Sequence, residues 1–167
     1  MNTWIEVLKN NDYDSAFKHI KDGADTNEES ETGESVLAYA LRYKCSTNVV
    51  QLLIKSDADI YDFDDEGVSI FDMAVTYNNI EMVKYLIEQG IDVNKTDRRS
   101  GFTSLMAAAC FGRNEIVQLL LTSGADKNLV DSKGFTAIDF ARKMNKKSIL
   151  KLFEYDENCP INKSHAR

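Results

Sequence analysis

Residues Gly101–Asn128 read GFTSLMAAACFGRNEIVQLLLTSGADKN, and the same pattern recurs along nearly the whole chain. Its opening glycine reappears as Gly33, Gly67 and Gly134. Two residues after each glycine stands a hydroxyl: Ser35, Ser69, Thr103 and Thr136. Such a side chain accepts a hydrogen bond from the orphan amides of a first helical turn, so each of the four is expected to start a helix. The closing triplets agree: Gly23-Ala24-Asp25, Asp57-Ala58-Asp59, Gly90-Ile91-Asp92 and Gly124-Ala125-Asp126 each follow an apolar run. A glycine there ends a helix in the left-handed conformation, and Asp57 is expected to cost some stability. Between opening and close lie two stripes of helical period: Leu105, Ala108 and Ala109, then Ile116, Val117, Leu119, Leu120 and Leu121.

A period of about 33 residues, with a T-P-L-H-x-A-like opening and a G-A-D-like close, resembles the ankyrin repeat. The resemblance implies an all-α fold: a solenoid of stacked antiparallel helix pairs joined by hairpin-like turns. A single domain over 1–154 is expected, in units of about 1–27, 28–61, 62–95, 96–128 and 129–154, with 155–167 a short flexible tail. The first unit has no turn and opens with Trp4, Ile5, Val7 and Leu8, then Ala16, Phe17 and Ile20, as an N-terminal cap of two short helices. The last, with Lys143, Lys146, Lys147 and Lys151, suits a C-terminal cap with one solvated face. Ala40, Ala74, Ala108 and Ala141 recur where the first helix must approach its neighbours, because a larger side chain would wedge the stack apart. The chain departs from the family pattern in having Val36, Ile70, Ser104 and Ala137 in place of proline, and Ala38, Asp72, Met106 and Asp139 in place of histidine. These replacements predict a weaker hydrogen-bond network around the turn and lower stability than an idealised array.

Composition narrows the function. The opening residues Met1–Tyr13 carry Glu6, Lys9 and Asp12, unlike a secretory signal, and no run reaches membrane-spanning length. A cytoplasmic, monomeric protein is expected. Cys45, Cys110 and Cys159 are scattered, without C-x-x-C spacing, and read as free thiols; His19 and His165 stand alone and read as surface residues. The acidic run Asp62, Asp64, Asp65 and Glu66 fails the calcium-loop spacing, because Gly67 comes late and no glutamate closes the loop. No phosphate cradle, nucleophile elbow or H-E-x-x-H pair is present. The chain is therefore expected to be no enzyme, and to need neither metal nor cofactor.

The resemblance further implies that turn tips and first helices form a concave surface for another protein. The candidate partner-binding residues by carry-over are Glu34, Val68, Phe102 and Phe135 beside the opening glycines, and Arg42 with Tyr43, Thr76 with Tyr77, Cys110 with Phe111, and Lys143 with Met144 late in the first helices. Tyr43, Tyr77 and Phe111 share one repeat position, where their rings either line the groove or pack on the next repeat. Residues 1–94 carry 19 acidic and 7 basic side chains, whereas residues 95–167 carry 8 and 13. At the tips, Glu28, Glu29, Glu31, Glu34 and the cluster containing Asp65 and Glu66 oppose Arg98, Arg99, Lys127 and Lys133. Such a field steers and orients a partner of opposite polarity. Nucleic acid is disfavoured, since the chain is acidic overall and lacks aromatic-interleaved basic runs. An adaptor or inhibitor of one protein partner is the first reading. The alternatives are a neutraliser or escort of a basic toxin or enzyme and, from a different class, a metal binder or enzyme built on Asp62–Glu66.

Overall fold

The computed structural model describes residues 2–154, in which ten helices follow one another in pairs. They are α1 (Asn2–Lys9) with α2 (Tyr13–Lys21), α3 (Val36–Arg42) with α4 (Thr47–Lys55), α5 (Ile70–Thr76) with α6 (Ile80–Glu88), α7 (Ser104–Phe111) with α8 (Asn114–Thr122), and α9 (Ala137–Lys143) with α10 (Lys147–Leu152). The first helix of each pair packs on the first helix of the next, through α1, α3, α5, α7 and α9. Contacts α2 to α4, α6 to α8 and α8 to α10 form the second row. The expected tail at 155–167, with Cys159 and His165, lies outside the described residues.

Each expected cap is in place. Ser35, Ser69, Thr103 and Thr136 are the N-caps of α3, α5, α7 and α9, and each side chain accepts the backbone N–H three residues on. The four alanines Ala40, Ala74, Ala108 and Ala141 are fully buried where the first helices meet. Apolar side chains fill the core from Trp4 and Leu8 at one end to Ile149 and Phe153 at the other. Phe17 is an exception among the apolar residues expected in the first unit: it is half exposed, stacked on Tyr13 at 6.4 Å between ring centres.

The closing aspartates have a local task. Asp25, Asp59, Asp92 and Asp126 each accept the backbone N–H two residues further on, at 2.8–2.9 Å, which shapes the loop after each second helix. Asp57, where the other copies have glycine, adopts φ +65° and keeps the same path, at a cost of about 1 kcal/mol for a non-glycine residue. Two asparagines then tie successive loops together. Asn27 donates to the Asp57 carbonyl (2.9 Å) and accepts from the Asp59 N–H (2.8 Å); Asn94 does the same with Gly124 (3.1 Å) and Asp126 (2.8 Å). At the junction between these two, the equivalent residue is Tyr61, which is 60% exposed. Restoring the clamp with Tyr61→Asn is expected to stabilise the fold by about 1 kcal/mol, since it adds two hydrogen bonds and gives up little buried area. A urea midpoint that is unchanged or lowered in this variant would count against the clamp.

The turn network is tighter than the missing histidines predict, and the reason lies in the residues that replace them. Asp72 and Asp139 reach back to the N–H and hydroxyl of Ser69 and Thr136, closing a reciprocal capping box at α5 and α9. Burial alone would raise the Asp139 carboxyl, but the Thr136 N–H and hydroxyl and the Arg142 guanidinium outweigh it and hold it below the usual carboxylate range. Met106 offers the Thr103 N–H only a thioether sulfur at 3.4 Å, and Ala38 offers nothing comparable at α3.

Candidate protein-binding face

Each tip is a short turn closed by its glycine, and three of the four are organised by one acceptor side chain three residues before it. Ser30 Oγ accepts from the Thr32 and Glu34 amides, Asp64 Oδ1 from Glu66 and Val68, and Asp131 Oδ1 from Lys133 and Phe135. In the remaining tip that position is Arg98, which has no acceptor. Thr96 substitutes there, its hydroxyl accepting from the Arg98 amide (3.2 Å) and donating to the Phe102 carbonyl (3.1 Å).

The freed Arg98 side chain turns inward. Its Nε lies 3.4 Å from Asp72 Oδ2, and its guanidinium sits 5.4 Å from the Phe102 ring centre. Asp72 is 2% exposed, and its other oxygen accepts from the Ser104 hydroxyl at 2.8 Å. Asp72 of one repeat thus holds Arg98 and Ser104 of the next. Arg113, a residue with no sequence signal, makes a second such link by donating Nε (3.2 Å) and Nη2 (2.7 Å) to the Thr76 carbonyl at the end of α5.

The tips and first helices share one face, which we call the inner face. In the second repeat, Glu34 is buried rather than displayed at an acidic tip. It pairs with Arg42, whose guanidinium lies 5.2 Å from the Tyr39 ring centre. Tyr43 packs on Tyr39 at 5.9 Å and lies under the Lys9 ammonium at 5.8 Å. Tyr77 and Val68 are half-buried against the core. This half of the face is therefore largely paired within the molecule.

The other half differs. Phe102 meets Phe140 edge-on at 5.0 Å, and Phe140 in turn meets Phe135 at 6.2 Å. Phe135, Phe111 and Met144 remain 45–47% exposed. Of the three rings at one repeat position, Tyr43 and Tyr77 are packed while Phe111 is displayed. Cys110 is half-buried beside Phe111, whereas burial pushes the Cys45 thiol up to about 11; both are free thiols. Arg99, Lys133, Asp65 and Glu66 are exposed at the tips. Tyr39 and Phe140, which the repeat alignment does not single out, also belong to the inner face, lying four positions before Tyr43 and Met144 and so on the same side of the helix.

Paired helices at this period, hydroxyl-capped first helices and glycine-closed tips match a known architecture in sequence as well. The family pattern described as ankyrin repeats (3 copies) covers residues 4–97 and 95–164. The chain belongs to the ankyrin-repeat family. It is 44% identical over 103 residues to the E3 ubiquitin-protein ligase hecd-1 of Caenorhabditis elegans, a match covering 62% of this chain and 4% of that protein. Over 102 residues it is 40% identical to the E3 ubiquitin-protein ligase Ufd4 of Drosophila melanogaster, covering 61% of this chain and 4% of the other. A putative ankyrin repeat protein of Acanthamoeba polyphaga mimivirus is 35% identical over 127 residues, which is 76% of this chain and 16% of the viral protein. The chain thus spans only a small part of each of these relatives. Ankyrin repeats are in general modules of protein–protein interaction, and the fold is typically non-catalytic.

Among the described residues, no group of three His, Cys, Asp or Glu side chains is placed to hold a metal ion, and no helix is long and apolar enough to cross a membrane. Away from the inner face, a groove of about 300 Å³ opens between α4 and α6, lined by Val50, Ile54, Met82 and Tyr85 among others.

Proposed function

We propose that this chain is a non-catalytic adaptor or inhibitor that binds one partner protein through its concave inner face and tips. It acts without cofactor, as a monomer in the cytoplasm, where free Cys45 and Cys110 suit a reducing compartment. The observation that carries the reading is the half-exposed Phe135, Phe111 and Met144 on the inner face of a family of protein-binding modules. Large apolar side chains displayed beside cations are the composition of interface anchors. Arg99, Lys133, Cys110 and Phe102 flank these anchors; Arg98 and Arg42 act through the side chains they hold, Phe102 and Glu34. Asp65, Glu66, Tyr77, Tyr43 and Val68 extend the contact toward the N-terminal repeats.

The neutraliser or escort reading would place a basic partner on Glu31, Asp65 and Glu66. It draws less support, because Glu34 and Asp64 are already committed to internal bonds. The test is affinity capture with mass spectrometry, comparing wild type with Arg99→Glu/Phe111→Ala and with Lys84→Glu on the outer helix α6. The partner is expected to be lost from the double variant and kept by Lys84→Glu. Equal recovery by the double variant would overturn the assignment of the face.

A further inference from the structure

The two halves of the inner face are chemically unequal, and the inequality specifies the kind of segment that fits. In the N-terminal half, Arg42 is neutralised by Glu34 and its ring neighbours are covered by cations from the chain itself. In the C-terminal half Phe111, Phe135 and Met144 are displayed, and three of the cations beside them lack an acidic partner. Phe135, Phe140 and Met144 follow one another along the α9 side, with Phe102 and Phe111 on the neighbouring repeat. Among the described residues, Arg99, Lys133 and Lys143 make no ion pair.

The carboxylates on the same elements are already engaged. Asp97 pairs with Lys95 at 3.3 Å, Asp131 is held by the tip amides of Lys133 and Phe135, and Asp139 pairs with Arg142. Asp72, on the preceding helix, is satisfied by Ser69, Ser104 and Arg98. Asp97 is exposed but paired with Lys95, and the next exposed tip carboxylates are Asp65 and Glu66, one tip further toward the N-terminus. The strip therefore presents apolar anchor sites rimmed by a net excess of positive charge, over a helix about 10 Å long, which suits a short helical or extended segment lying across it.

We propose that the C-terminal half of the inner face receives an acidic segment of the partner protein, one that alternates bulky apolar side chains with Asp or Glu. The apolar side chains seat against Phe111, Met144 and Phe135, and the carboxylates meet Lys143, Lys133 and Arg99. This rests on the inner-face reading above and adds the chemistry of the occupant.

Fluorescence anisotropy on the full chain tests it, using labelled peptides of about five helical turns. One pool carries Leu and Phe anchors at helical spacing among Glu and Asp; a second has the same anchors among Lys and Arg; a third keeps the acids but replaces the anchors by Ser and Gly. The first pool is expected to bind at least about tenfold more tightly than either of the others, more weakly as salt rises, and about tenfold more weakly to Lys143→Glu and to Phe111→Ala/Met144→Ala. These side chains are exposed, so the variants should keep the wild-type circular dichroism. Tighter binding of the basic pool, lost with Phe111→Ala/Met144→Ala, would overturn the acidic segment while leaving the inner face in place. Binding of none of the three pools, or displacement of the acidic pool by oligothymidylate, would overturn the proposal outright. The capture experiment decides the inner-face reading separately.

Discussion

Asp72→Ala is expected to destabilise the fold by about 3–5 kcal/mol, the range for removing one partner from a buried ion pair. The substitution strips acceptors from the Ser69 N–H and hydroxyl and from the Ser104 hydroxyl, and it leaves the Arg98 guanidinium, only 17% exposed, without its counter-charge. Because Asp72 belongs to one repeat and Arg98 and Ser104 to the next, the loss falls on the junction between repeats. Most of the cost should come from the stranded charge. Asp72→Ala/Arg98→Met is therefore expected to recover part of it, giving a coupling of about 1–3 kcal/mol in a double-mutant cycle read by urea denaturation. An Asp72→Ala chain within about 0.5 kcal/mol of wild type would show that the pair does not hold the junction.

The second large effect is expected at the neighbouring tip. Gly67 adopts φ +76°, and a Cβ built on it would lie 2.3 Å from the Asp97 carbonyl oxygen. Gly67→Ala therefore meets two penalties: about 1–2 kcal/mol for a left-handed non-glycine residue, and about 1–3 kcal/mol for forcing two backbones apart. Gly134 supplies the control, since its φ is +81° with nothing within 4 Å of the same virtual atom. Gly134→Ala should show only the conformational part. Equal losses in the two variants would mean that the tips tolerate separation and do not hold the charge-changing boundary in register.

Much of the fold is legible in the residues because each repeat restates it. The hydroxyl two places after each opening glycine, the buried alanine row and the closing aspartates act locally, so four copies confirm one another. What could not be read depends on single departures from that repetition. Arg98 stands where Ser30, Asp64 and Asp131 organise their tips, and only the three-dimensional arrangement shows its side chain turning to Asp72. The replacement of histidine by Asp72 and Asp139 looks like a loss in the sequence, yet these carboxylates close the capping boxes. Tyr61 likewise marks a missing clamp that becomes visible once Asn27 and Asn94 are seen bridging their neighbours.

For the inner face, the sequence places candidate side chains at equivalent repeat positions but does not separate displayed rings from packed ones. Tyr43, Tyr77 and Phe111 share one position and differ in environment. Glu34 reads as a tip carboxylate and is buried against Arg42. The charge polarity is legible from composition, whereas the engagement of Asp97, Asp131 and Asp139, which leaves the C-terminal strip positive, depends on tertiary pairing.

Whether the inner face holds the partner is read by site-specific photocrosslinking in cells. A benzophenone side chain is placed at position 111 in one chain and at exposed position 118 on α8 in another. With the partner on the inner face, a covalent adduct with a distinct partner protein is expected from position 111 and none from position 118. An adduct formed equally from both positions, or from position 118 alone, would contradict it.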